Sequence, residues 1–391
     1  NDPGVNDVRH FLYKHDTSTF ETFHGGPGVY FHTTSGAAEV RNGDWFFDGT
    51  SGPATSARRT EPTIVTARVI SSSSGVLVNS VGGQDCCGGR VWSGDYPELI
   101  IYNRRLSDFE IQQVETYLGI KYGRAVEHDY LASDSTVLWD SSAMAAYHND
   151  VAGIGRDDLS ALNQLQSVSG NSDAIVTMGL DSITTDNASH GSSFGADVSF
   201  MIWGNDDGAT TLASHGGADV NQIMQRVWKV SETGTVGSVE ISIPDAYEVT
   251  VLLVNNSDNT FAAGNTAVIL TPDGNGNMVG TYDFSDGDYF SFGSLGQTIV
   301  PGGVAANLQL WLKADAGITE SGTVSQWDDQ SGNGHSFVQY DASGLPLYET
   351  DNAQFNFNPS LDFIFDVETK LIDETTGILI NNASPQTLSY F

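Results

Sequence analysis

Arg226-Val227-Trp228-Lys229-Val230-Ser231, then Val236-Gly237-Ser238-Val239-Glu240-Ile241-Ser242-Ile243, then Glu248-Val249-Thr250-Val251-Leu252-Leu253-Val254, decide the fold class. Each run is short and apolar or alternating, and each gap holds Gly, Pro, Asp, Thr or Ser. Runs of this length, bounded by turn formers, read as strands. The same rhythm places strands at 136–139, 151–154, 174–179, 198–203, 266–271 and 288–292. Nine short strands with turn chemistry between them predict a β-sandwich over residues 125–298. Trp203-Gly204-Asn205-Asp206-Asp207-Gly208 reads as a strand leaving the core into an Asp-rich turn, and Pro272-Asp273-Gly274-Asn275-Gly276-Asn277 as a hairpin loop.

Toward the N-terminus the pattern is again strand and turn, with candidate strands at 28–32, 44–49, 63–70 and 97–102. One helix interrupts it near 107–121. Ser107 followed by Glu110 is a capping box, Phe109, Val114, Tyr117 and Leu118 supply an apolar stripe, and Gly123 stands where a helix ends. The 391 residues exceed one ordinary sandwich, and 43 glycines fit an all-β chain with many turns.

Charge narrows the function classes. Sixteen Lys and Arg face 49 Asp and Glu, a formal net charge of −33. Such a surface repels phosphate backbones and anionic headgroups, so nucleic acid and membrane partners are not expected. The acids are dispersed along the chain, as on a solvated surface that stays soluble in high salt, and they offer oxygens to divalent cations. The cysteines, Cys86 and Cys87, are adjacent, which leaves a strained vicinal disulfide or a bridge to another chain as the disulfide options. No apolar run is long enough to span a bilayer, and the opening Asn1-Asp2-Pro3-Gly4 reads as that of a mature or excised piece.

Motifs near both ends of the chain carry a family resemblance. Leu310-Trp311-Leu312-Lys313-Ala314-Asp315, Trp327-Asp328-Asp329-Gln330-Ser331-Gly332-Asn333-Gly334 and Asn356-Phe357-Asn358-Pro359 resemble the opening half of a laminin-G-like, concanavalin A-like jelly-roll domain. Glu98-Leu99-Ile100-Ile101-Tyr102-Asn103-Arg104-Arg105-Leu106, with the helix ending Tyr117-Leu118-Gly119-Ile120-Lys121-Tyr122-Gly123, resembles its closing half. The stretch between resembles a β-sandwich module that accompanies such domains in large bacterial surface proteins. The halves stand in reverse order. The resemblance therefore implies a jelly roll split between residues 1–124 and 299–391, as if cut from a tandem array. The two halves close either within one chain or, as the preferred expectation, between neighbouring copies in a head-to-tail filament. It also implies an extracellular or cell-surface setting and an adhesive or structural role.

Candidate chemistry is sparse. Asp273, Asn275 and Asn277 place hard oxygens at calcium-loop spacing, although Phe284 occupies the position where such a loop needs its bidentate acid. Asp283, Asp286 and Asp288 lie near in sequence, and Asp328, Asp329 and Asn333 form a second acidic turn. Calcium is thus the candidate cofactor. Lectin-like jelly rolls present aromatic platforms beside acids, so Trp45, Trp92 and Tyr96 are the carbohydrate candidates, with surface glycans as candidate ligands. A calcium-dependent lectin-like module is the alternative function. An enzyme is not expected: no Glu-x-Asp-x-Glu strand occurs, and the adjacent pairs Asp157-Asp158, Asp206-Asp207 and Asp328-Asp329 would point to opposite faces of a strand. Gly191-Ser192-Ser193-Phe194-Gly195 matches a nucleophile elbow in letters alone, without the strand and helix that the elbow needs.

Overall fold

The computed structural model describes residues 12–13, 25–26, 28–32, 34, 36–70, 76–83, 91–92, 94–217, 219–295, 301–304, 308–340, 344–364 and 369–373. The chain is all-β and divides into two compact units, residues 1–296 and 297–391. Cys86 and Cys87 lie outside the described residues.

Ahead of its sandwich the larger unit holds a three-stranded antiparallel sheet of β1 (Asp44–Phe47), β2 (Thr50–Gly52) and β3 (Val65–Arg68), in the order β2-β1-β3. Alternation along β1 sends Trp45 and Phe47 into a small core with Tyr30, Phe31, Val40 and Ala54. The segment 28–32, expected as a strand, forms a turn and bends with two isolated bridges, Val29 to Gly26 and Val29 to Ala57.

Helix α1 (Asp108–Tyr122) begins and ends where its caps dictate. Ser107 accepts from the Glu110 amide at 3.2 Å, Glu110 accepts from the Ser107 amide at 2.9 Å, and Gly123 closes the helix at φ 63°. Its buried side differs from the expected stripe. Ile111, Glu115, Thr116, Gly119 and Ile120 are buried, Val114, Tyr117 and Leu118 sit half-buried at the flank, and Phe109 is exposed. The deciding factor is the neighbouring sandwich, onto which Ile120 packs beside Tyr130, Phe200 and Ile202.

That sandwich contains β4 (Asn149–Asp157), β5 (Leu162–Gln164), β6 (Gln166–Val168), β7 (Thr177–Leu180), β8 (Ser199–Asn205), β9 (Leu212–Ser214) and β10 (Gln222–Met224). It continues through β11 (Trp228–Thr233), β12 (Val239–Pro244), β13 (Val251–Asn255), β14 (Thr266–Ile269), β15 (Thr271–Pro272), β16 (Asn277–Tyr282) and β17 (Tyr289–Ser294). One sheet has five strands in the order β6-β7-β12-β16-β15. The other has nine, running β9-β10-β17-β11-β8-β4-β5, with β13 on the second edge of β17 and β14 beyond it. Each of the nine expected strands is present within a residue or two to four of its expected bounds.

The nine-stranded sheet is covered on both faces, which explains its unbroken apolar runs. Met201 and Trp203 of β8 and Leu252 and Val254 of β13 point into the core shared with the five-stranded sheet. Their neighbours Phe200, Ile202, Val251 and Leu253 point the other way, into a second core roofed by Ile120, Tyr130, Trp139, Tyr147 and Phe261. Large side chains fit under this roof because β4 presents glycines opposite them: Gly155 pairs with Phe200 and Gly153 with Ile202. Burying each large aliphatic or aromatic side chain contributes roughly 1.5–3 kcal/mol.

The unit 297–391 is different in kind. Its four-stranded sheet is β18 (Ile318–Glu320), β19 (Val324–Asp328), β20 (Ser336–Gln339) and β23 (Leu371–Asp373), in that order. A separate hairpin pairs β21 (Leu347–Asn352) with β22 (Asn358–Asp362). Among its described residues only Val324 and Pro346 are buried.

Candidate interaction surface

Residues 97–102, expected as a strand, are the site on which sequence and structure part most informatively. The stretch Glu98 to Tyr102 pairs with no strand among the described residues. Its apolar side chains, Leu99, Ile100, Ile101 and Tyr102, are all exposed, Ile101 at 62%.

The segment is nonetheless fastened at each end. At its start the Glu98 carboxylate accepts from Lys121 Nζ at 2.8 Å, Tyr122 Oη at 2.8 Å and Tyr117 Oη at 3.0 Å. Partial burial opposes the charge on Glu98, but hydrogen bonds from Lys121, Tyr122 and Tyr117 outweigh it and hold the carboxyl below its ordinary range. Bonds with Glu98 and Tyr117 in turn raise the Lys121 ammonium above its ordinary value. Beyond the segment's end, Arg104 forks onto Glu110 at 2.9 and 2.6 Å. That fork, with the Ser107 amide and hydroxyl, pulls the Glu110 carboxyl down to about 2. Arg105 donates to Asp44 at 2.5 Å and to the Val69 carbonyl at 3.2 Å. Glu98 and Arg105 reach residues distant in sequence, so the motif reading alone did not single out Glu98, Lys121 or Arg105 as anchors.

The expected calcium loop is a self-satisfied turn. Asp273 accepts from the Asn275 amide at 2.7 Å, the Asn277 amide at 3.0 Å and Asn277 Nδ2 at 2.9 Å, closing the β15–β16 hairpin. Gly274 and Gly276 supply the positive φ the turn requires. Asp283, Asp286 and Asp288 gather near Glu232, whose carboxyl is raised by burial and by their charges. Asp288 is itself buried, with its carboxylate accepting from the Ser285 amide at 2.8 Å.

In the smaller unit Asp329 accepts from the Trp311 amide at 2.9 Å and from the Ser331 amide and hydroxyl at 2.8 and 2.6 Å. Asp328 accepts from Gln326 and Ser336, and Asn333 donates to the carbonyls of Leu308 and Gln309. These residues tie the 329–333 turn to the segment that carries Trp311. Among the described residues no group of three or more His, Cys, Asp or Glu is arranged to hold a metal ion.

Of the carbohydrate candidates, Trp45 is corrected. It is buried, donates its indole N–H to the Val40 carbonyl at 2.9 Å and stacks on Phe47, so its ring faces belong to the core. Trp92 and Tyr96 do come together, with ring centroids 5.6 Å apart and tilted by 43°. The elbow-like Gly191–Gly195 stretch is irregular, Phe194 enters the core, and His190 bonds the Ser182 carbonyl. Asp157 caps Ser133, and Asp158 pairs with Arg156.

Two buried polar groups escaped the sequence reading. Arg226 lies 3.4 Å from Asp150, which also accepts from Asn205 and Asn171. Glu115, fully buried on α1, meets His128 at 3.0 Å. Among the described residues no helix is long and apolar enough to cross a membrane.

Residues 110–288 match the model of a family described as a domain of unknown function, DUF8202. The match begins within α1 and stops before β17, leaving residues 1–109 and the whole smaller unit outside it. No curated protein and no solved structure matches the chain.

Proposed function

We propose that the protein is an extracellular structural or adhesive module of a bacterial surface, whose copies join head to tail by completing one another's β-domains. The observation that carries this reading is how little of residues 297–391 is buried among the described residues. Six strands in two sheets have been formed, yet among the described residues only Val324 and Pro346 are buried. A sheet without an apolar layer against it is marginal in water, so the described strands call for a further layer. The laminin-G-like resemblance of the two chain ends supports the same reading, since it casts them as complementary halves of one jelly roll. The net charge of −33 keeps such a chain soluble and disfavours nonspecific stacking.

Sedimentation velocity over a hundredfold range of concentration, paired with electron microscopy, tests the reading. We expect mass to grow with concentration and regular linear particles to form. A monomer at every concentration would overturn it.

The tilted Trp92–Tyr96 pair favours one second reading, a lectin-like glycan platform. Glycan-array binding that survives in the wild type and disappears in Trp92→Ala would support it, and an array without a signal would remove it.

A further inference from the structure

We infer that Asn275 is a site of spontaneous covalent modification, selected by the fold over the two other Asn-Gly pairs of this chain. Its side-chain amide is lost through a cyclic imide closed by the Gly276 nitrogen. An aspartyl or isoaspartyl residue is left at the tip of the β15–β16 hairpin. The inference does not depend on the head-to-tail reading.

The reaction needs water as its one co-reactant. Hydroxide takes the Gly276 amide proton, and the freed nitrogen attacks Asn275 Cγ. The bond from that nitrogen to Cγ forms, the bond from Cγ to Nδ2 breaks, and Nδ2 leaves with a proton from water as ammonia. Water then opens the ring. Addition at Cγ restores the main chain and gives aspartate. Addition at the main-chain carbonyl carbon leaves the chain running through Cγ and gives isoaspartate. Asparagine is thermolabile for this reason, and glycine in the next position favours the step because no β-carbon crowds the attacking nitrogen.

Asn42-Gly43, Asn275-Gly276 and Asn333-Gly334 are alike in sequence. The fold restrains two of them. The Gly43 N–H donates to the Val40 carbonyl at 3.2 Å, and a β-carbon at Gly43 would lie 2.5 Å from the Arg68 carbonyl oxygen. That nitrogen is engaged, and its peptide is packed against a strand. Asn333 is held by its side chain instead. Its Nδ2 donates to the carbonyls of Leu308 and Gln309 at 2.8 and 3.0 Å and to Ser331 Oγ at 3.0 Å. The leaving group is tied down, and Cγ turns toward Gly334 only by breaking those bonds.

Asn275 has neither restraint. It stands in a turn whose residues 273–276 are all exposed. Its backbone N–H donates to Asp273 Oδ1 at 2.7 Å, which fixes the turn. Its Nδ2 has a single contact, 3.5 Å from the Asp273 carbonyl oxygen, at the outer limit of a hydrogen bond. Among the described residues the Gly276 N–H donates to nothing, while the Gly276 carbonyl accepts from the Asp245 N–H at 2.9 Å. Nucleophile and leaving group are thus both free, on a loop tip of the kind where chemical change is tolerated. Either product adds a carboxylate beside Asp273. Isoaspartate also lengthens by a methylene the loop that the Asp273 N–H closes on the Asn277 carbonyl at 3.0 Å.

The test keeps the intact chain in mildly alkaline buffer, folded and in urea, and follows the peptides around the three pairs by mass spectrometry. In urea all three should convert at similar rates. In the folded protein Asn275 should keep its rate in urea within a few-fold. Asn42 and Asn333 should slow at least about tenfold, the factor that an opening cost of about 1.4 kcal/mol imposes. Isoaspartate should form alongside aspartate at position 275, and Asn275→Gln, which needs a larger ring, should stay unmodified there. Slowing of Asn275 to the level of the other two, or three equal rates in the folded protein, would overturn the inference. Aspartate without isoaspartate would overturn the imide route, because direct hydrolysis of the amide leaves the path of the chain unchanged.

Discussion

Gly155→Ala should destabilise the sandwich, and the reason is a single ring. Gly155 on β4 stands opposite Phe200 on β8, and a Cβ added there would lie 2.0 Å from Phe200 Cδ1, 2.5 Å from Cε1 and 2.7 Å from Cγ. Carbon atoms need about 3.5–4.0 Å, so either the ring or the strand must shift. The ring has little room, being 1% exposed in a filled layer with Ile120, Tyr130 and Ile202. Overpacking of this kind costs about 1–3 kcal/mol, partly offset by the roughly 0.5–1 kcal/mol that Ala gains over Gly in a strand interior. A net loss of about 1–2 kcal/mol is expected. Phe200→Ala alone should cost about 3–5 kcal/mol through the cavity it opens.

The double variant separates this account from a generic glycine effect. With the ring gone, the added methyl enters empty space, and Gly155→Ala should become neutral or stabilising. A coupling energy of about 1–3 kcal/mol is expected from urea unfolding of the four members of the cycle. If Gly155→Ala is harmless in the wild type, or if its cost is the same with and without Phe200, the argument that glycines make room for the second core is refuted.

Arg226→Ala leaves Asp150 buried with its amide partners but without its cation. It should cost about 3–5 kcal/mol, seen as a lower urea midpoint; a change under 1 kcal/mol would contradict the account. Glu110 has its carboxyl lowered to about 2 by Arg104 and Ser107. Because the folded value lies below the unfolded one, its contribution is complete above about pH 4.5 and is lost as pH falls toward 2. A carbon-13 titration of the Glu110 carboxyl should find that midpoint, and a midpoint above 4 would dismiss the clamp. Because the Asp273 oxygens are engaged by Asn275 and Asn277, millimolar calcium or a chelator should leave the unfolding midpoint of the sandwich unchanged. A rise of several degrees with calcium would support the loop as a metal site.

Local physics made much of this protein readable from its sequence. The strands of the sandwich were legible because alternation and turn residues act over a few positions, and α1 was legible because Ser107, Glu110 and Gly123 cap it within its own turns. The all-β class followed. Which side of α1 is buried was not legible, since Ile120 outranks Phe109 only once the nine-stranded sheet lies beneath it. The fate of Trp45 was hidden for the same reason: an indole beside acids in sequence went into a core built from Tyr30, Phe31 and Val40.

The apolar run Leu99–Tyr102 marks the boundary most clearly. Its composition is that of a strand, and β-propensity is a property of the residues themselves. Pairing is a property of what stands alongside, set by contacts between residues far apart in the chain. Sequence alone therefore determined that the segment is apolar and strand-like in composition. Only the tertiary structure decided that it is clamped at both ends and exposed between them, because Glu98 reaches Lys121 and Arg105 reaches Asp44 solely through the fold.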